Sequence, residues 1–140
     1  MDFTLHEWLA ADSVALGEGP LSLVRLMNDR RFPWLILVPR RPGLREIYEL
    51  AEPDRALLIE EVAAAGRSLQ TATAAAKINV GALGNLVPQL HVHVVARSPG
   101  DAAWPGPVWG HGRPEAYDAA GLAARRSLLE HALAPLFAGT

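Results

Sequence analysis

Hydrophobic positions along the chain follow first a helical period, then a strand period. Leu5, Trp8 and Leu9 recur at helical spacing just after Thr4. This predicts a short helix over Leu5 to Ala11, capped by Thr4 and burying those three side chains. Gly17 to Pro20 reads as a turn. From Leu21 to Met27 side chains alternate, with Leu21, Leu23 and Arg25 on one side and Ser22, Val24 and Leu26 on the other. Trp34 to Val38 is a wholly apolar strand closed by Pro39. The polar turn Asn28-Asp29-Arg30-Arg31 between these two strands makes them a hairpin. Arg40 to Gly43 then leaves the sheet.

The helical period returns at Pro53, a residue suited to a first helical turn. Leu58, Val62, Ala65 and Leu69 recur at three- and four-residue steps, predicting a long amphipathic helix to about Ala76. Gly66 inside it costs about 1 kcal/mol relative to alanine and marks a candidate point of close packing. Lys77 to Val80 is a short strand, Gly81 to Pro88 a loop, and Gln89 to Ala96 the next strand. Ser98 to Pro114, rich in Gly, Pro and Trp, carries no regular period. Ala119 to about Leu133 is a final helix. A hairpin with helices set apart from it in sequence is α+β rather than doubly wound, and residues 1–140 form one domain.

Composition narrows the function classes. The net charge is −2 and Lys77 is the sole lysine, so no basic run offers a nucleic-acid footprint. The apolar runs fall far short of the roughly 20 residues that span a bilayer, and the start of the chain does not read as a signal peptide. The expected location is cytoplasmic. There is no cysteine, which removes disulfides and thiol catalysis.

Chemistry concentrates in Gln89-Leu90-His91-Val92-His93-Val94-Val95. On a strand, Leu90, Val92 and Val94 face a core, while Gln89, His91 and His93 line the other face at about 6.6–7 Å per two-residue step. Three readings of that face compete. The first is histidines without a role. The second is a zinc site, in which His91 and His93 need a third ligand from His6, His111, His131 or an acid. The third is nucleophilic catalysis at phosphorus. Neutral imidazole, with a usual pKa of about 6.5, is a competent nucleophile, and a second imidazole offsets phosphate charge. Arg97, at the strand end, is positioned to reach a distal phosphate, although a solvated arginine is the simpler expectation. Trp104 and Trp109 either cover a base or fill a core.

This segment resembles the signature of the histidine triad (HIT) superfamily, His-x-His-x-His followed by two hydrophobic residues, with Gln89 in place of the first histidine. Asn79 ahead of the loop, Gly84-Asn85 within it, and Asn28 on the hairpin match further family positions. The Trp- and Pro-rich stretch Trp104 to Gly110 resembles a bacterial subgroup with Gln-x-His-x-His. The resemblance implies a HIT-like fold, an antiparallel sheet of about five strands with a long helix and a C-terminal helix. It implies a hydrolase or transferase acting at the α-phosphate of dinucleoside polyphosphates (of the diadenosine tetraphosphate kind) or nucleoside phosphoramidates. By that pattern His91 is the nucleophile, His93 assists the leaving group, and Gln89 completes the catalytic set at the first triad position. Asn85 with Gly84 contacts the phosphate, Asn79 a phosphate oxygen or the sugar, and Asn28 the ribose. A small-molecule nucleotide is the expected partner, with neither nucleic acid nor membrane, in a homodimer. No cofactor is implied, although a divalent ion can accompany a polyphosphate. A nucleotide-binding protein with little turnover is the alternative that Gln89 keeps open.

Overall fold

The computed structural model describes residues 2–139. Its elements in chain order are α1 (Glu7–Asp12), β1 (Ser13–Glu18), β2 (Ser22–Met27), β3 (Trp34–Pro39), α2 (Glu52–Thr73), β4 (Lys77–Gly81), β5 (Val92–Arg97) and α3 (Ala119–Phe137). The strands form one antiparallel sheet in the order β1-β2-β3-β5-β4. This is the expected α+β architecture.

The sheet separates two apolar clusters, and its alternation decides which side chain joins which. Val24, Leu26, Leu35, Leu37, Val92 and Val94 face one side, where Leu58, Val62, Ala65 and Leu69 of α2 and Leu129 and Leu133 of α3 cover them. Trp34, Ile36, Val38 and Val95 face the other side, against Leu9, Phe32, Val87 and Val108. The two long helices, α2 and α3, therefore cover one face of the sheet. The opposite face is left to α1, the loops and the polar residues of β5.

Several local expectations are corrected. His6, not Thr4, caps α1, its Nδ1 accepting from the Trp8 backbone N–H at 3.0 Å. Only Leu9 of the predicted apolar trio is buried; Trp8 is 52 % exposed. A strand, β1, runs through the first part of the segment read as a turn. It carries a register shift between Ala15 and Gly17, a bulge that breaks the alternation by which strands are recognised. A side chain at Gly17 would come within 2.6 Å of the Phe137 ring, so that glycine marks close packing of α3 on an edge strand rather than a turn. Gly66 does the opposite: an added Cβ would sit 3.5 Å from Ile78, in ordinary contact. The segment at 89–96 joins the sheet only from Val92 onward. Ahead of it the Leu90 N–H donates to the Leu44 carbonyl, outside the ladder.

Candidate active site

His93 lies on the sheet face opposite the long helices and His91 stands just ahead of β5 beside it, with ring centroids 4.9 Å apart and both side chains buried. Their hydrogen bonds fix opposite tautomers. His91 Nδ1 lies 2.6 Å from the Gln89 carbonyl oxygen, which can only accept, so Nδ1 carries the proton and Nε2 keeps a free lone pair. His93 Nδ1 lies 2.9 Å from Trp34 Nε1, which can only donate, so Nδ1 is the acceptor and the proton sits on Nε2. One imidazole thus offers a lone pair at Nε2, and its neighbour offers an N–H there. Burial is the main cause that lowers the pKa of both. His93 falls to about 3, with the charge of His91 as a further cause. For His91 the bond to Gln89 opposes the shift and His6 adds to it. Both rings are therefore neutral at physiological pH.

Two cavities flank the pair, one reaching Trp34 and the other His91. One, of about 290 Å³, is lined by Asn28, Asp29, Arg31, Trp34, Val108 and Gly110 among others. The second, of about 140 Å³, is lined by Arg45, Tyr48, Gly84, Gln89 and His91 among others. The row His91, His93, Trp34 runs from the second cavity to the first.

The remaining predicted residues fall into distinct settings. Gln89 turns its side chain to the start of the chain: Nε2 donates to the Thr4 carbonyl at 2.9 Å and Oε1 accepts from the His6 N–H at 2.8 Å. Its backbone carbonyl, not its side chain, holds His91. Asn28 lines the larger cavity and its Oδ1 accepts from the Tyr117 N–H at 3.0 Å, leaving its amide N–H groups as donors. Gly84 has φ of +72°, which a glycine adopts without strain. It precedes the exposed Asn85, whose side chain makes no hydrogen bond among the described residues. Asn79 instead accepts, through Oδ1, from Arg97 Nη1 at 2.9 Å.

Arg97 is 2 % exposed, which corrects the expectation of a solvated side chain. Its Nε and Nη2 donate to the two oxygens of Asp101 at 2.8 and 3.1 Å, and Nη2 also donates to the Gly106 carbonyl at 2.7 Å. The Arg97 bonds, and then backbone N–H groups of Ser98, Ala103 and Trp104, hold the Asp101 carboxyl down to about 2. This ion pair pins the irregular tail to the end of β5. The same tail brings the Trp109 indole edge-on to His93, at 5.6 Å between centroids, and over Gly81, where a Cβ would stand 3.0 Å from it.

Sequence reasoning missed Trp34 and Asp29. A signal for Trp34 existed, because it shares a sheet face with His93 once β3 pairs with β5. Asp29, 1 % exposed, accepts from Arg31 and from the Glu115 N–H, and reads locally as an ordinary turn residue. Among the described residues no three His, Asp or Glu side chains form a group that could hold a metal.

The HIT domain family model matches residues 9–100, well over half of the chain. The chain belongs to the HIT family. Members of this family are nucleotide-binding hydrolases and transferases. A histidine triad protein from Marinobacter aquaeolei is 47% identical over 97% of this chain and 99% of its own, with a TM-score of 0.94. HIT proteins from Bradyrhizobium japonicum and Sinorhizobium meliloti are 46% and 48% identical. Each covers 94% of this chain, and 98% and 97% of its own, with TM-scores of 0.91. No curated protein matches the chain. In this HIT protein no described helix is long and apolar enough to cross a membrane.

Proposed function

We propose that this HIT protein cleaves nucleotide conjugates at the α-phosphate through a nucleotidyl intermediate on His91. The opposed tautomers of the two histidines carry the reading. A free lone pair on His91 Nε2 suits attack on phosphorus. An N–H on His93 Nε2 suits an oxyanion that gains charge as the bond breaks. The larger cavity, with Asn28 as an amide donor toward sugar hydroxyls, receives the nucleoside. The smaller one, past His91, receives the departing part. The unpartnered Asn85, presented by the Gly84 turn, donates to the phosphate. Asn79 acts through Arg97 rather than on the substrate.

Gln89 does not argue against turnover. The orientation of His91 comes from the backbone carbonyl at position 89, which any residue there would supply. Binding without turnover remains the alternative to be tested. The candidate substrates are dinucleoside polyphosphates and nucleoside phosphoramidates, a divalent ion accompanying the former.

The test is a rapid quench with substrate followed by intact-mass analysis under alkaline conditions. A nucleotidyl adduct is expected on the wild-type protein and none on His91→Ala. Tight AMP binding by calorimetry, with neither adduct nor product across both substrate classes, would leave a binding protein.

A further inference from the structure

We infer that Trp34 holds His93 as a hydrogen-bond donor unable to serve as an acid, and so restricts the site to leaving groups that depart as oxyanions. Phosphate anhydrides are then substrates and amine phosphoramidates are not. This rests on the reaction proposed above and narrows its substrate class.

The argument starts from the proton count on His93. To hand its Nε2 proton to a leaving group and stay neutral, an imidazole must gain a proton at Nδ1. Here Nδ1 is occupied by the Trp34 Nε1–H at 2.9 Å, inside a buried contact. Indole N–H donates a hydrogen bond but does not ionise near neutrality. Without a second proton, giving up Nε2–H would leave an imidazolate. A His93 imidazolium would set N–H against N–H at Trp34. No carboxylate is hydrogen-bonded to either imidazole among the described residues, and the other ring faces around His93 are His91 and Trp109. The low pKa of His93, about 3, agrees with this geometry.

Trp34 is itself held in place. Its ring meets Phe32 edge-on at 6.3 Å, and the Arg97 guanidinium lies 5.5 Å from the Phe32 centroid. The donor therefore cannot swing away without disturbing the buried end of β5.

The consequence follows the electron pairs. His91 Nε2 forms a bond to the α-phosphorus and the bridging P–O bond breaks. In an anhydride the pair stays on the bridging oxygen, which leaves as a phosphate oxyanion and needs only the hydrogen bond from His93. Water then attacks the nucleotidyl-histidine, the P–N bond breaks, its pair returns to His91 Nε2, and the proton of water passes to solvent. In a phosphoramidate the pair would leave on nitrogen, which must be protonated to depart. His93, so held, has no proton to give.

The test combines a spectrum with a substrate pair. In wild-type protein labelled with 15N-histidine, long-range proton–nitrogen correlation at pH 7 is expected to show His93 Nδ1 unprotonated and Nε2 protonated. In Trp34→Phe, which keeps an aromatic ring and loses the donor, the two tautomers are expected to mix. Wild-type kcat/KM for a dinucleoside polyphosphate should exceed that for an adenosine 5′-phosphoramidate of an alkyl amine by about 100-fold or more, the usual scale of a missing general acid. In Trp34→Phe the ratio should narrow. Protonated Nδ1 on wild-type His93, or equal cleavage of both substrates, overturns the inference. If neither substrate reacts and no adduct forms, the proposed reaction falls and the leaving-group preference with it. The spectrum would still decide the tautomer.

Discussion

Asp101→Asn tests whether the Arg97–Asp101 pair holds the tail on the site. In the wild type Oδ1 accepts from Arg97 Nη2 and from the Ala103 and Trp104 N–H groups, and Oδ2 accepts from Arg97 Nε and the Ser98 N–H. An asparagine oxygen placed at the Oδ1 position keeps three of these bonds. Its NH2 group then faces Arg97 Nε–H and the Ser98 N–H, donor against donor. Arg97, 2 % exposed, also loses its counter-charge. Removing one partner of a buried ion pair costs about 3–5 kcal/mol, and the lower figure applies here because Asp101 is 12 % exposed and asparagine keeps one oxygen. For a chain of this length about 3 kcal/mol lowers Tm by roughly 10 °C. Thermal unfolding followed by circular dichroism reads it.

The pH dependence distinguishes this cause from others. The folded Asp101 titrates at about 2, below the usual carboxylate value of about 3.9. A depressed folded pKa contributes stability above the unfolded value and loses it as pH falls toward the folded one. The deficit of Asp101→Asn should therefore be full at pH 5 and above, then shrink as pH drops from about 4 toward 2. A deficit that stays constant through that window would refute the ion pair as its source.

Other substitutions test other parts of the fold. Glu61, 2 % exposed, accepts from the Leu21 and Ser22 N–H groups and the Ser22 hydroxyl. Glu61→Leu orphans buried donors and should cost about 2–3 kcal/mol in urea unfolding, while Glu61→Gln, able to donate to the Ser22 oxygen, should cost much less. Gly66→Ala should gain up to about 1 kcal/mol from helix propensity, since the added Cβ meets only ordinary contacts. Ala74, in the left-handed region with φ of +55° after α2, should likewise gain about 1 kcal/mol on change to glycine. If His91 is the nucleophile, kcat/KM should hold steady below the usual histidine pKa of about 6.5 before it falls, because burial lowers the His91 pKa. An acid limb at or above that value would contradict this.

What the sequence discloses depends on how local the cause is. The length of α2 and the shared face of His91 and His93 follow from periodicities within one segment, and both were legible. The β1 strand was not, because its bulge and Gly17 answer to Phe137, more than a hundred residues away. Arg97 looked solvated because its carboxylate, four residues on, lies in an irregular segment where spacing predicts no contact. Trp34 read as one more apolar strand residue. Its N–H acquires a partner only when β3 pairs with β5. Gln89 stood out as a departure from the family pattern, yet no local signal placed its amide against Thr4 and His6.

The two indoles that touch His93 also make the site visible to light. Of the four tryptophans in the chain, Trp34 and Trp109 contact that one imidazole, whereas Trp8 and Trp104 are substantially exposed. An aqueous quencher will silence the exposed pair first. The blue-shifted emission that survives then comes mainly from the rings around His93. If the nucleotide enters beside Trp34 as proposed, that emission will change, and occupancy can be followed on the unlabelled protein, one fluorescence trace per ligand.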